Sequence, residues 1–355
     1  MLNTASQRYL PVSGDENEPV ASPWPERPCR AGSWLCGTIV FIMGFAGLIW
    51  YTLEGGGASP VFDPRPSSCL EPKLRREWRQ LNGTEKFNYI QAVKCVHESP
   101  SRLHPDGRLT DDFPWSHRLI EHYAHDAAPF LPWHRYFIHI YEMALRECGY
   151  QDALVYWDWT LDWKDPSQSP IWDSELGFGG DGNTNEEETV NHGYCVKSGP
   201  FANYTVRYEN GTVNPHCLSR GFGCMDNPKS HEIDGTFLSP RFVDHAKTYP
   251  DFFNFTLALE MGPHNAIPNG VCGDFYSFDA PADPVFYLHH TQLDRIWWQW
   301  QQEKPSRTME YNGPKHGHSE DKASLSDRLP MYGLAREPEV AEVMDTEGGL
   351  LCYRY

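Results

Sequence analysis

The sequence is short of basic residues: 30 Lys and Arg stand against 48 Asp and Glu, which gives a formal net charge of -18. Proteins that hold nucleic acid by its phosphates present a basic surface, so a nucleic-acid partner is excluded. No two of the ten cysteines have the C-x-x-C spacing of a zinc ribbon, and no repeat of solenoid length is present. What remains is a chain of 355 residues with 14% aromatic residues, enough for one sizeable domain able to line a site for a planar ligand.

Charge is also missing from one stretch near the start of the chain. No Asp, Glu, Lys or Arg occurs between Arg30 and Glu54, and the apolar run 33–53 is long enough to span a bilayer of about 30 Å. We predict a transmembrane anchor, the alternatives being a buried core helix and a cleaved signal peptide. Arginines before the run and acidic residues after it favour a cytosolic N-terminus. The sequence thus predicts a single-pass membrane protein whose main domain is lumenal or extracellular.

Two features that follow the predicted anchor suit an oxidising compartment. An even number of cysteines predicts disulfides, whose pairing stays open; these are Cys69, Cys95, Cys148, Cys195, Cys217, Cys224, Cys272 and Cys352. Four N-x-S/T sequons predict glycosylation; their asparagines are Asn82, Asn203, Asn210 and Asn254. Asn82, followed three residues later by Glu85, also matches a helix N-capping pair, an interpretation that competes with glycosylation.

Of the five histidines in the segment 111–148, three are placed to share one site: His117, His125 and His134. The apolar spacing predicts one helix that carries His117 and a second, starting at Pro132, that carries His134, with both rings on the buried faces. His125 lies in the loop between them, where the backbone is free to bring its ring to the same point. A lone histidine on an apolar face is usually a core residue, but one metal ion can satisfy three buried imidazoles at once. We therefore predict a metal site here.

The stretch "DPVFYLHHTQLDRIWWQW" predicts a further helix, with Asp283 as its N-cap and Pro284 in the first position. His290 faces inward on this helix, and imidazole is a ligand that suits copper, zinc, iron and nickel. Asp294, one turn later, is placed to hold the second ring nitrogen of His290. His289 points about 100 degrees away and is the weaker candidate.

Together these residues resemble a known family. The pattern H-x7-H-x8-H, which ends within "FLPWHRYF", and the helix with the HH pair are similar to the common central domain of tyrosinases, catechol oxidases and haemocyanins, which are type-3 dicopper proteins. Phrases such as "YIQAVKC" and "LCYRY" are similar to short fungal-type members. The resemblance implies a mainly α fold with long loops and few short strands, in which a four-helix bundle holds two copper ions, each by three histidines.

The resemblance also implies roles for individual residues and segments. It implies His117, His125 and His134 as ligands of the first copper, and His264 and His290 as ligands of the second. From their places beside these ligands in the sequence, we predict Asn265 and Asp294 as supporting neighbours. The resemblance covers 69–355, which we take as the tyrosinase-like copper domain. Charge and composition divide the preceding residues into a cytosolic tail (1–32), the anchor (33–53) and a linker (54–68).

One residue departs from the family pattern. The second copper usually takes two histidines four residues apart, H-N-x-x-H, but the second of these positions is Pro268. Proline has no atom that binds copper and disturbs a helix, so we expect a short turn in place of a helix around His264. A third ligand could come from water, the Asn265 side chain or a loop histidine; alternatively, the second copper binds weakly or is absent.

The resemblance implies a copper-dependent oxidase or monooxygenase of phenolic groups that uses O2 as co-substrate, by ortho-hydroxylation or diphenol oxidation. We expect a small phenolic or tyrosyl substrate, and a role in tailoring a secondary metabolite or a tyrosine-containing peptide in the secretory pathway. Two alternatives remain open. One is a pseudoenzyme or scaffold with an incomplete second copper site, and the other is a zinc hydrolase built on His117, His125 and His134.

Overall fold

The computed structural model describes residues 61–225 and 231–355, and its main elements are helices. Among the described residues the longer helices are α1 (Gly83–Glu98), α2 (Leu109–Leu119), α4 (Phe130–Glu147) and α8 (Val285–Gln302). The shorter ones are α3 (Glu121–Ala124), α5 (Pro240–Lys247), α6 (Phe252–Leu259) and α7 (Asn265–Val271). One turn of π-helix, Glu260–His264, joins α6 to α7. The mainly helical fold predicted from the sequence is confirmed.

Local sequence signals account for where these helices begin. The Asn82 side chain accepts a hydrogen bond from the Glu85 backbone N–H, and the Glu85 carboxylate accepts one from the Asn82 N–H, so the capping pair forms at the start of α1. Helix α4 begins at Phe130, two residues before the predicted Pro132. Helix α8 begins one position after Pro284, and the Asp283 carboxylate accepts from the free Val285 N–H at its first turn.

Two helices form the centre of the molecule. Every residue in 130–142 of α4 and in 285–294 of α8 is buried, and the two helices pack against each other. Helix α1 packs on the other side of α4, and α2 contacts α1. A helix buried on all sides lies in the interior of a protein, so polar side chains on α4 and α8 need partners or a function.

The strands are short and pair locally. Strands β5 (Thr205–Glu209) and β6 (Thr212–Cys217) form an antiparallel hairpin with Thr205 opposite Cys217. The remaining two-residue strands also pair: β4 (Tyr194–Cys195) with β7 (Ser219–Arg220) antiparallel, and β1 (Lys73–Leu74) with β8 (Tyr353–Arg354) and β2 (Arg76–Glu77) with β3 (Val155–Tyr156) parallel. The few short strands agree with the expectation of loops and brief strands between the helices.

A buried ion-pair network joins α8 to distant parts of the chain. The carboxylate of Asp294 accepts hydrogen bonds from Arg75 at 3.2 Å and from Arg135 at 2.5 Å. The hydroxyls of Tyr353 and Tyr355 donate to it at 2.6 and 2.5 Å. Burial alone would raise the pKa of Asp294, but the two guanidinium groups lower it below its usual value. Asp294 is therefore charged and pairs with both buried arginines, while Arg75 also pairs with the buried Glu142 at 2.9 Å.

The predicted disulfides are confirmed and their pairing is now defined. The bonds join Cys69 to Cys352, Cys95 to Cys148, Cys195 to Cys217 and Cys224 to Cys272. The first closes a loop of 283 residues and fixes β8 beside β1. It therefore holds Tyr353 and Tyr355 close to Asp294.

Removing the long-range disulfide is expected to destabilise the fold. The double substitution Cys69→Ser and Cys352→Ser should lower the free energy of unfolding by on the order of 2–5 kcal/mol, because the unfolded chain regains the entropy of a long loop. Urea unfolding followed by tryptophan fluorescence measures the loss. The matched control is Cys195→Ser with Cys217→Ser, which opens a loop of only 22 residues. A loss at least as large in that control would contradict the explanation.

The membrane topology predicted from the sequence is not supported. No helix in 61–225 or 231–355 combines the length and apolar character needed to cross a bilayer. The single-pass placement, with a lumenal or extracellular main domain, is therefore withdrawn. The run 33–53, on which that expectation was based, lies outside the described residues.

Candidate metal centre

Three of the predicted histidines converge at one point. His117 comes from α2, His125 follows the last residue of α3, and His134 lies in the first half of α4. One ring nitrogen from each lies within 4.8 Å of the others. The Nε2 atoms of His117 and His134 are 3.2 Å apart, close to the roughly 3.3 Å expected between two nitrogens bound tetrahedrally to one metal at about 2.0–2.1 Å. We call these residues the first triad.

The backbone fixes which nitrogen of each ring is available. The Nδ1 atom of His117 lies 2.7 Å from the carbonyl of Phe278, that of His134 lies 2.8 Å from Phe130, and that of His125 lies 3.1 Å from Glu121. A carbonyl can only accept, so Nδ1 carries the proton in each ring and Nε2 presents a lone pair. Two such lone pairs face each other across 3.2 Å. A metal cation between them relieves that repulsion, and the first triad thus fits a metal ion.

Burial keeps the first triad neutral, as metal ligation requires. It lowers the pKa of His117 to about 4, despite the opposing hydrogen bond to the Phe278 backbone. The pKa values of His125 and His134 are lowered well below 6.5 by burial and by the neighbouring histidines. All three imidazoles are therefore uncharged near neutral pH.

A second group of three histidines lies beside the first. His264, at the end of the π-helix turn, and the consecutive pair His289 and His290 of α8 each bring a ring nitrogen within 4.8 Å of the others. His264 is oriented by Asn265, whose side-chain oxygen lies 2.9 Å from the His264 Nδ1 atom. Burial lowers the pKa of His264 to about 4 and those of the other two well below 6.5. We call these residues the second triad.

The second triad leaves buried nitrogen atoms without partners. Neither ring nitrogen of His289 or of His290 has a hydrogen bond among the described residues, although both side chains are buried. The backbone of His264 lies near the His289 ring and acts to raise the pKa of His289. The contact between them does not have the geometry of a hydrogen bond. Buried polar atoms are rarely left unsatisfied in folded proteins. Like the first triad, this group has the donor atoms that a metal would satisfy.

The two triads form one compact centre. The rings of His134 and His290 stack with their centroids 4.3 Å apart, and those of His125 and His264 lie 6.1 Å apart. Aromatic side chains surround the histidines: Phe278 lies against His125, Phe130 against His264 and Phe286 against His290, at centroid distances of 5.1, 4.9 and 4.1 Å. Such walls exclude water and strengthen electrostatic interactions inside the site.

A buried carboxyl group lies in the same π-helix turn as His264. Glu260 accepts a hydrogen bond from the backbone N–H of Asp126 at 2.9 Å, and its second oxygen has no partner among the described residues. Burial raises the pKa of Glu260 well above its usual value. Glu260 was not predicted from the sequence, because nothing in its local pattern marks a buried acid.

The structure corrects three expectations about the second site. Asp294 does not support His290: its oxygens are occupied by Arg75, Arg135 and two tyrosines, and the His290 nitrogens are unpaired. His289, expected to face elsewhere, has its ring in the second triad. The expected position of Asn265, in contrast, needs no correction, because this residue lies beside His264.

The third correction concerns the backbone around Pro268, which is helical where a turn was expected. The helix changes from π to α at His264, and Pro268 falls in the first turn of α7. The proline therefore removes at most one bond, to the His264 carbonyl. Further along, the carbonyl of Pro268 accepts from the Cys272 N–H, which closes the helix.

Comparison with known proteins agrees with this geometry. The common central domain of tyrosinase matches residues 76–303. Over its full length the chain is 41% identical to the tyrosinase-like protein phomQ1 of Diaporthe leptostromiformis, also covered in full, and it is 41% identical to tyrosinase ustQ of Aspergillus flavus, with 98% of this chain and 96% of that protein covered. Among solved structures, a variant of the polyphenol oxidase from Thermothelomyces thermophila matches with a TM-score of 0.69 at 27% identity, over 88% of this chain and 94% of that one.

Proposed function

Because this chain belongs to the tyrosinase family and is a copper-dependent oxidoreductase of phenolic groups, we propose that its two triads each hold one copper ion. In this proposal His117, His125 and His134 hold the first copper, and His264 and His290 contribute to the second. The long helices α1, α2, α4 and α8 would form the four-helix bundle around both. The observation that carries the proposal is the pair of adjacent triads, in which the Nε2 atoms of His117 and His134 face each other at 3.2 Å and the ring nitrogens of His289 and His290 have no hydrogen bond among the described residues.

The chemistry that a copper pair supplies when bound is the reduction of O2 coupled to the oxidation of a phenol. The residues of this chain provide the conditions for it. Backbone carbonyls hold the Nδ1 protons of the first triad and so fix the direction of each ring, as partners of metal-bound histidines do. The side chains of Phe130, Phe278 and Phe286 keep bulk water from the histidines.

We propose a small phenol or a tyrosyl group as the substrate, modified during the tailoring of a secondary metabolite or a tyrosine-containing peptide. The full-length similarity to a tyrosinase and to a tyrosinase-like protein supports an oxidised phenolic ring. The chain's 14% aromatic content and the phenylalanines around the triads support a planar, apolar substrate. The proposal covers both ortho-hydroxylation and diphenol oxidation.

A second candidate function follows from Pro268. Because that residue lacks a donor atom, a scaffold that retains one copper and does not reduce O2 is the alternative to the oxidase. Copper content and O2 consumption separate the two, since the scaffold has one copper or none and consumes no O2.

Removal and return of the metal tests the proposed function. The full chain, purified with copper, is expected to hold about two copper ions and to consume O2 when a catechol is added, with the corresponding ortho-quinone as product. Dialysis against a copper chelator should abolish O2 consumption. Copper should restore it and zinc should not, because zinc cannot change oxidation state. Full activity with zinc, or no O2 consumption with two coppers bound, would contradict the oxidase.

A further inference from the structure

We infer that His289 is the third ligand of the second copper and fills the ligand position that Pro268 leaves vacant. The inference rests on the proposed function, since it assumes that the second triad holds copper. It assigns a metal-binding role to a residue that directly precedes His290 on the same helix. In an ideal helix the side chains of His289 and His290 point in different directions, so only one of them is expected to reach a given ion.

The position of the His289 ring supports this role. Its side chain is 0% exposed, and its ring centroid lies 5.7 Å from that of His264 and 5.2 Å from that of His290. A ring nitrogen from each of the three lies within 4.8 Å of the other two, the same limit that the first triad meets. The two triads share no residue, so each can serve its own metal ion.

The helical geometry explains how neighbouring residues can serve one ion. Side chains of consecutive residues diverge by about 100 degrees, so both reach a metal only if it lies between their two directions. His264 lies at such a place, with its ring centroid 5.7 Å from that of His289 and 5.1 Å from that of His290. The π-helix turn that ends at His264 sets its ring there.

The other sources of a third ligand are less suitable. The Asn265 side-chain oxygen is already the acceptor for the Nδ1 atom of His264. No further histidine in 61–225 or 231–355 belongs to the second triad. His289, in contrast, has two buried nitrogens without a hydrogen bond among the described residues, and an unsatisfied buried polar group destabilises the fold. Coordination would give one of these two nitrogens a partner.

A purely structural histidine is the competing explanation, and the chain offers a matched control. His139 on α4 is likewise buried, with an unpaired Nδ1 atom and a pKa lowered by burial to about 4, but it belongs to neither triad. A variant at His139 therefore reports the effect of losing a buried imidazole without losing a proposed ligand.

The test compares copper content per folded chain in His289→Leu and His139→Leu, measured by mass spectrometry of the metal. We expect His289→Leu to retain about one copper where the unaltered chain holds two, and His139→Leu to retain two. Electron paramagnetic resonance gives a second readout, because a lone Cu(II) ion has an unpaired electron and gives a signal, whereas two coupled Cu(II) ions do not. His289→Phe, which also lacks a donor, serves if the leucine variant does not fold.

A rescue variant adds an independent measurement. Pro268→His in the His289→Leu background is expected to return copper content to about two, because position 268 is one helical turn from His264. Pro268→His alone should leave it at two. If the unaltered chain and both His289 variants hold two coppers, His289 is a core residue and the inference is overturned while the proposed function stands. If the unaltered chain holds fewer than two, the proposed dicopper centre fails, and the inference fails with it.

Discussion

Replacing His134 by alanine is expected to reduce catechol-dependent O2 consumption by more than about 100-fold, since even the loss of a residue that only supports a metal ligand typically reduces affinity or activity 10- to 100-fold. His134 lies at the junction of the two triads. Its Nε2 atom is 3.2 Å from that of His117, and its ring stacks on His290 at 4.3 Å. The substitution thus removes a proposed ligand of the first copper and also the contact that positions the second triad.

Copper content distinguishes a lost ligand from a damaged fold. His134→Ala should hold at most one copper per folded chain, with the helical circular-dichroism signal unchanged. His139→Ala, on the same helix, is the matched control and should keep two coppers and most of the activity. O2 consumption within about tenfold of the unaltered protein would contradict the role given to His134, because a ligand loss should exceed the effect of losing a supporting residue.

Replacing Asp294 by alanine is expected to lower the free energy of unfolding by about 3–5 kcal/mol, the usual effect of removing one partner from a buried ion pair. The carboxylate is shared by Arg75 and Arg135, both fully buried, and accepts from the hydroxyls of Tyr353 and Tyr355. Its removal leaves two guanidinium groups without this counter-charge. Urea unfolding measures the loss, and Asp244→Ala is the control because Asp244 is 73% exposed.

The same variant separates a structural role for Asp294 from the support of His290 that the sequence suggested. A structural role predicts lower stability with unchanged copper per folded chain, whereas a supporting role predicts loss of copper. The pH dependence gives a further check. The pKa of Asp294 is lowered in the folded state, so its contribution is complete above about pH 5 and is lost as the pH falls through the folded-state value. Asp294→Ala should lack this acid-dependent component.

Much of the first triad could be predicted because its signals are local. His117 and His134 lie on helices whose apolar spacing is visible in the sequence, and the family pattern supplies His125 in the loop between them. Their convergence needs only the packing of adjacent helices and the loop that joins them. The structure places all three within 4.8 Å of one another, as the sequence led us to expect.

The second triad could be predicted only in part, because it depends on backbone geometry that the sequence does not specify. The rule of 100 degrees per residue argued against His289, but it assumes that the metal lies along the direction of one side chain. A π-helix turn places His264 between the two directions, whereas Pro268 had suggested a short turn there instead of a helix. Local rules treat each helix separately, whereas this site depends on how two helices meet.

Asp294 shows the complementary limit of sequence interpretation. Asp294 lies one turn from His290 and was therefore expected to be the hydrogen-bond partner of that ring. The hydrogen bonds to its carboxylate come instead from residues 59 to 219 positions away. A buried carboxylate is most strongly stabilised by charged donors, and two arginines are better partners than a neutral imidazole. The long-range pairing of Cys69 with Cys352, which helps to place the two tyrosines, was likewise not predictable from the sequence.

The ion-pair network around Asp294 has a consequence for the order of events during biosynthesis. Helix α8 carries both Asp294 and the histidine pair, but Tyr353 and Tyr355 leave the ribosome only after 59 and 61 further residues have been added. Until then one helix of the centre lacks two of the donors that hold it in place. The position of α8 is therefore fully held only after residues 353 to 355 have been made and have packed against it.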